Sequence, residues 1–318
     1  MARPFSFDNA AFHFARTDGP PGFLPKYLSA YAVGIVAIAV LGFFALQPLI
    51  AGYIEAFTMM SRGASERQIE RALGESILDN LGRLSLGYLL MLIVYAAFWS
   101  MMECAVLRRY VREDGFSIGW GADEWRMLAV GLIWMVAFIA AYIVMIIATV
   151  VLVMPLGALA QDNPALIGLW MFIVILGLGI TWAYFAVKLS PAGAMTIRDR
   201  KVVYFDAWGA SKGRFWPMLG AFVILGIILY AAIVVLYMIG AFAFMGVAMS
   251  GLDLSGDLSP DEVMALITNP VVWGPVAVIY FVMLVYQGFW QYAWAGIPAL
   301  TAKTDPRTGG MHDAAETF

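Results

Sequence analysis

Long apolar runs punctuated by short polar segments dominate this chain. Six of them have the roughly 20 apolar residues that an α-helix needs to span a hydrocarbon core: Tyr27–Ile54, Leu84–Val106, Met127–Met154, Ala165–Leu189, Trp216–Ser250 and Val271–Leu300. Backbone groups in lipid must be satisfied within their own segment, and period-two alternation is absent, so the runs predict helices and not barrel strands. The fifth run is about 35 residues long, or roughly 52 Å as helix, which exceeds the membrane. It must tilt, protrude or break, with Gly240, Gly246 and Gly251 as the break points. The fold class expected is an all-α, polytopic integral membrane protein with six transmembrane helices. It comprises a cytoplasmic N-terminal tail (1–26), a six-helix membrane domain (27–302) and a flexible cytoplasmic tail (303–318). The first run is too long for a secretory signal core, so it is read as a retained helix.

Composition narrows the class. Of the 318 residues, 62% are hydrophobic and 13% charged, which excludes an ordinary soluble domain. A net charge of −3 gives no basic footprint for nucleic acid. The one cysteine, Cys104, sits inside an apolar run as a small hydrophobe. Lys and Arg set the orientation: with the N-terminus inside, 15 of the 19 fall in inner segments and 4 in outer loops. Both termini are expected to be cytoplasmic.

The first outer loop is the most structured. Ser65-Glu66-Arg67-Gln68 reads as a capping box. Ile69, Leu73, Ile77, Leu81 and Leu84 then share one face, predicting an amphipathic helix over about 65–82 that leads into the second span, read as a packed connector, with an extracytoplasmic docking or lipid-sensing element as the alternative. The last outer loop is acidic. Ser259-Pro260-Asp261-Glu262 predicts a short capped helix, and Asp253, Asp257, Asp261 and Glu262 match no calcium loop.

The inner loops resemble each other. Arg112 through Trp120-Gly121-Ala122 aligns with Arg200 through Trp208-Gly209-Ala210 at an offset of 88. Trp125-Arg126-Met127-Leu128 then meets Trp216-Pro217-Met218-Leu219. A weaker third copy lies in the N-terminal tail, at Phe7-Asp8-Asn9-Ala10 and Gly22-Phe23-Leu24-Pro25. The expectation is a parallel pseudo-repeat of helical hairpins, with a cytoplasmic interfacial helix before each odd-numbered span. Arg112, Trp120, Arg200, Tyr204, Trp208, Lys212, Arg214 and Trp216 would form its inner-leaflet surface, because Trp and Tyr favour the headgroup level and cations meet anionic lipid.

The stretch Phe205-Asp206-Ala207-Trp208, Lys212-Gly213-Arg214-Phe215-Trp216 and the Gly-rich apolar helix after it resemble a bacterial six-helix inner-membrane family. That family includes YciC-type proteins and the membrane domain fused to some glycerophosphodiester phosphodiesterases. The likeness covers about residues 190–236. It implies a multi-pass protein of the bacterial cytoplasmic membrane. The phosphodiesterase catalytic domain has no counterpart here, so its activity is not carried over.

Little in the chain points to catalysis. Its two histidines, His13 and His312, lie in the tails, so neither a hydrolase triad nor an intramembrane zinc site can be assembled. Gly209-Ala210-Ser211-Lys212-Gly213 lacks P-loop spacing. No enzymatic activity, cofactor or metal is expected. Polar groups inside the spans are the remaining leads. Glu103 and Lys188 lie near the inner ends of the second and fourth spans, as interfacial anchors or as an ion pair. Gln287 and Gln291 share a face of the sixth span, and Gln287 near the midplane calls for an interhelical hydrogen bond. Gly177, Gly179, Gly220 and Gly226 are read as close-packing positions. The function expected is a non-enzymatic scaffold or lipid- and partner-binding subunit of an envelope complex. The alternative is a transporter, channel or lipid-handling protein using a cleft between the repeats, with Glu103, Lys188, Gln287 and Gln291 as its contacts.

Overall fold

The computed structural model describes residues 4–16, 19–159, 164–251 and 270–307. Among these the secondary structure is helical, without strands. The elements are α1 (Phe7–Ala11), a 3-10 turn (His13–Ala15), α2 (Phe23–Ala45), α3 (Gln47–Ser61), α4 (Glu66–Asp79), α5 (Leu81–Arg112), α6 (Ala122–Leu159), α7 (Pro164–Leu189), α8 (Ala192–Asp199), α9 (Ala207–Ala210), α10 (Phe215–Gly251) and α11 (Pro270–Lys303). Six of them, α2, α5, α6, α7, α10 and α11, are long and apolar enough to cross a membrane. The chain is a multi-pass membrane protein, as the apolar runs predict.

The first span is shorter than the run suggests. Helix α2 stops at Ala45, and α3 starts at Gln47 with Pro48 in its first turn. A proline inside a helix has no N–H to donate and its ring clashes with the carbonyl four residues back, so Pro48 ends α2 and opens α3. The fifth run behaves in the opposite way. Helix α10 is unbroken for 37 residues, about 55 Å. Gly240 is not a break: a Cβ there would lie 2.9 Å from Ile279 Cγ2, so it serves close packing between α10 and α11.

The amphipathic helix expected over about 65–82 forms as α4, Glu66–Asp79. The Ser65 backbone N–H donates to Gln68 Oε1 at 3.0 Å, closing one arm of the capping box. Ile69, Leu73 and Ile77 are half-buried, and α4 packs on α3 where Gly52 admits Ser76 and Leu73. The short helix expected around 259–262 lies outside the described residues.

The segments around 112–122 and 200–210 diverge from the repeat reading. Residues 207–210 form a short helix, and α1 stands before the first span. The matching segment before the third span, 113–120, has no helix. Gly115 and Gly119, poor helix formers, lie in that segment.

Two compact units divide the chain. The first holds residues 1–21, 103–225 and 292–318, and the second holds 22–102 and 226–291. The first unit gathers the α5–α6 and α7–α10 connections with the segments around α1 and beyond α11. In the second unit Tyr31 of α2 meets Phe98 of α5, ring centroids 5.4 Å apart, beside Gly34. A Cβ on Gly34 would lie 2.2 Å from Phe98 Cε2. Gly34→Leu should therefore destabilise the chain by about 1–3 kcal/mol through overpacking, read as a lower unfolding midpoint in detergent.

Candidate functional site

The polar chemistry concentrates in the first unit, at the helix ends that the charge count puts inside. Arg108 and Arg112 lie one turn apart in the last turns of α5, and Asp123 and Glu124 open α6. Cations at a helix C-terminus and acids at an N-terminus are each favoured by the local peptide dipoles. Glu124 is 2% exposed. It receives Arg108 Nη1 at 2.7 Å on one oxygen and the Gly121 N–H at 2.9 Å on the other. Asp123 takes Arg112 at 2.7 Å and Arg126 at 2.8 Å. Arg112 also donates to the Ile197 carbonyl, which ties α8 into the same cluster.

A second cluster grips the end of α11. Arg214 donates to the Thr304 carbonyl at 2.6 Å, to Thr304 Oγ1 at 2.9 Å and to the Thr301 carbonyl at 3.3 Å. Arg198 donates to the Ala302 carbonyl, and Lys303 pairs with Glu113. The last carbonyls of the helix, which have no intrahelical donors, thereby receive cationic ones. Asp305 is 3% exposed and accepts from Arg307 through Nη2 at 2.9 Å, Nε at 3.1 Å and the backbone N–H at 3.1 Å. Burial opposes its ionisation. The hydrogen bonds and charge of Arg307, with Arg198 beside them, outweigh that and hold its carboxyl below the usual range. Arg307 also reaches the Asp206 carbonyl at 2.8 Å and lies across Gly209, where any Cβ would strike its guanidinium. Residues 303–307 are thus a pinned segment and not part of a flexible tail.

Two further knots complete the unit. Tyr110 donates to the Tyr292 carbonyl at 2.7 Å, and Tyr292 donates to the Phe14 carbonyl at 3.3 Å. The buried His13 ring lies 5.3 Å from that of Tyr110. Lys188 is buried. Its ammonium donates to the Ser211 carbonyl at 3.1 Å, and Ser211 Oγ returns a bond to the Lys188 carbonyl at 2.9 Å. The Trp208 ring faces the same ammonium at 5.6 Å. Lys188 is therefore engaged with α9 and its flank.

The anticipated surface residues divide into two sets. Arg112, Arg214 and Tyr204 turn inward, the last buried against Trp134 with ring centroids 5.6 Å apart. Burial pushes the Tyr204 phenol up. Trp120, Arg200, Trp208, Lys212 and Trp216 face outward, joined by Lys201, Val202, Phe205 and Trp125. Phe205 is 79% exposed and Trp216 76%. The backbone beneath them is fixed by Val203, Ala207, Ala210 and Ser211, all buried. The Thr196 hydroxyl bridges the Val203 N–H at 3.0 Å and its carbonyl at 3.2 Å. Trp208 packs edge-on against Tyr184, centroids 5.6 Å apart. These exposed aromatics and cations form a collar on a rigid base.

Glu103 is half-buried at the start of the first unit's share of α5. In the second unit Gln291 is half-buried and Gln287 is exposed. The sequence reading missed Asp123, Glu124, Arg198, Asp305 and Arg307. Paired acids in the first turn of α6, facing paired arginines at the end of α5, were the available signal for the first two. Among the described residues no group of three or more His, Cys, Asp and Glu could hold a metal ion. An apolar groove of about 310 Å³ on the α6–α7 hairpin is lined by Met145, Ile146, Thr149, Val150 and Ile175. No family model, curated protein or solved structure matches the chain.

Proposed function

We propose that this chain is a non-enzymatic subunit of the bacterial cytoplasmic membrane. Its collar of exposed aromatics and cations binds anionic headgroups of the inner leaflet and offers a platform to an envelope partner. The observation that carries this reading is the run from Arg200 to Trp216. Arg200, Lys201, Phe205, Trp208, Lys212 and Trp216 are exposed over a backbone held from behind. Aromatic rings at headgroup depth with cations beside them suit a leaflet of negative charge. The carboxylates of Glu124 and Asp305 are filled by guanidinium donors, which supports an anchoring role for the polar clusters more than a catalytic one. A solute path through Glu103, Lys188, Gln287 and Gln291 has less support, since Lys188 is already engaged and Gln287 faces outward.

Native mass spectrometry of the gently extracted protein tests the reading. Wild type should carry phosphatidylglycerol or cardiolipin. The triple variant Arg200→Gln, Lys201→Gln, Lys212→Gln should lose most of that lipid, since each cation near an anionic surface is worth about 1 kcal/mol. Equal lipid retention by both would overturn the proposal.

A further inference from the structure

Gln287 lies near the middle of α11, 17 residues from Pro270 and 16 from Lys303, the two ends of the helix. Its neighbours fix the rotation of α11 there. The Tyr286 hydroxyl donates to the Leu229 carbonyl of α10 at 2.6 Å, so Tyr286 points into the second unit. Gly288 points inward too, because a Cβ on it would stand 2.7 Å from Tyr31 Cγ of α2. Successive helical residues are about 100° apart. With one inward neighbour on each side, Gln287 faces directly away from the unit's interior. It is exposed and finds no hydrogen-bond partner among the described residues.

An exposed carboxamide in the middle of a span is costly when acyl chains surround it. It carries two N–H donors and a carbonyl acceptor, and acyl chains satisfy none of them. Its bonding is self-complementary: two antiparallel amides exchange two N–H···O bonds, each giving what the other needs. A two-fold axis supplies that geometry without a second residue type, because a residue lying on the axis of an isologous interface meets its own copy. On the same face Tyr280, two turns outward, is 60% exposed and adds apolar contact.

We propose that Gln287 is the centre of a two-fold interface between two copies of this chain in the membrane. The two carboxamides bond reciprocally across the axis. This assignment is independent of the lipid-binding collar.

Cysteine cross-linking in native membrane vesicles tests it. Cys104 is fully buried and does not interfere. Gln287→Cys should form a disulfide-linked dimer on mild oxidation, while Ile139→Cys, exposed on α6, should not. Energy transfer between donor- and acceptor-labelled copies in liposomes supplies a second readout. Gln287→Leu should weaken association about tenfold, and Gln287→Asn should retain part of it. Substitution at an exposed site leaves the fold in place, so both readouts stay interpretable. Cross-linking no faster at Gln287→Cys than at Ile139→Cys would overturn the proposal. So would equal association of the Leu variant, or a monomer whose co-purifying lipid or solute is lost in Gln287→Leu.

Discussion

Glu124→Ala should cost about 2–4 kcal/mol of stability, because it strips the main carboxylate partner from a half-buried cation and removes a buried charge. Glu124 holds Arg108 at 2.7 Å, with side chains 3% and 13% exposed. The next carboxylate, Asp123, is 3.9 Å from Arg108 and already carries Arg112 and Arg126. It cannot take over the role without surrendering those bonds. Removal also frees the Gly121 N–H that Glu124 caps at the start of α6. The measurement is the unfolding midpoint in detergent. Glu124→Gln should fall between the two, since the amide keeps one acceptor and loses the charge. An Ala variant within about 0.5 kcal/mol of wild type, the range of ordinary surface changes, would refute the assignment.

Asp305 gives the second large effect, and its sign depends on pH. Its folded pKa lies below the unfolded value. The ionised pair therefore contributes stability at neutral pH, and that contribution is lost as pH falls through the carboxylate range. Asp305→Asn should cost about 2–3 kcal/mol at pH 7, leaving Arg307 and Arg198 facing a neutral amide. The penalty should shrink as pH falls through the carboxylate range, because wild type loses the same charge. Midpoints measured across the acid range in one detergent should converge. Parallel curves would show that the charge at Asp305 does not contribute.

The membrane architecture was largely legible in the chain because lipid imposes one dominant pattern. Runs of about 20 apolar residues identified every span. The capping residues Ser65 and Gln68 identified α4. The end of α2 was also written locally, in Pro48, but the unbroken apolarity from Tyr27 to Ile54 obscured it. The candidate site was less legible. Arg112 and Arg214 look like lipid-facing cations when read alone. Their partners Ile197 and Thr304 lie 85 and 90 residues away, and no local periodicity reports such a meeting. Lys212 and Trp216, nearby in sequence, do face outward. The difference lies in which carbonyls each side chain can reach, and that is a property of the fold. The outward setting of Gln287 comes from Tyr286 and Gly288, whose partners are on other helices.

The distances along the chain within the first unit also govern its biosynthesis. Tyr292 bonds to Phe14, 278 residues earlier, and Arg198 and Arg214 reach into residues 301–304. A ribosome releases the N-terminal partners long before the C-terminal ones. Until the last span is made, Arg214 lacks its carbonyls at Thr301 and Thr304, and Arg198 lacks the one at Ala302. A chain cut before residue 301 leaves both arginines without these carbonyls.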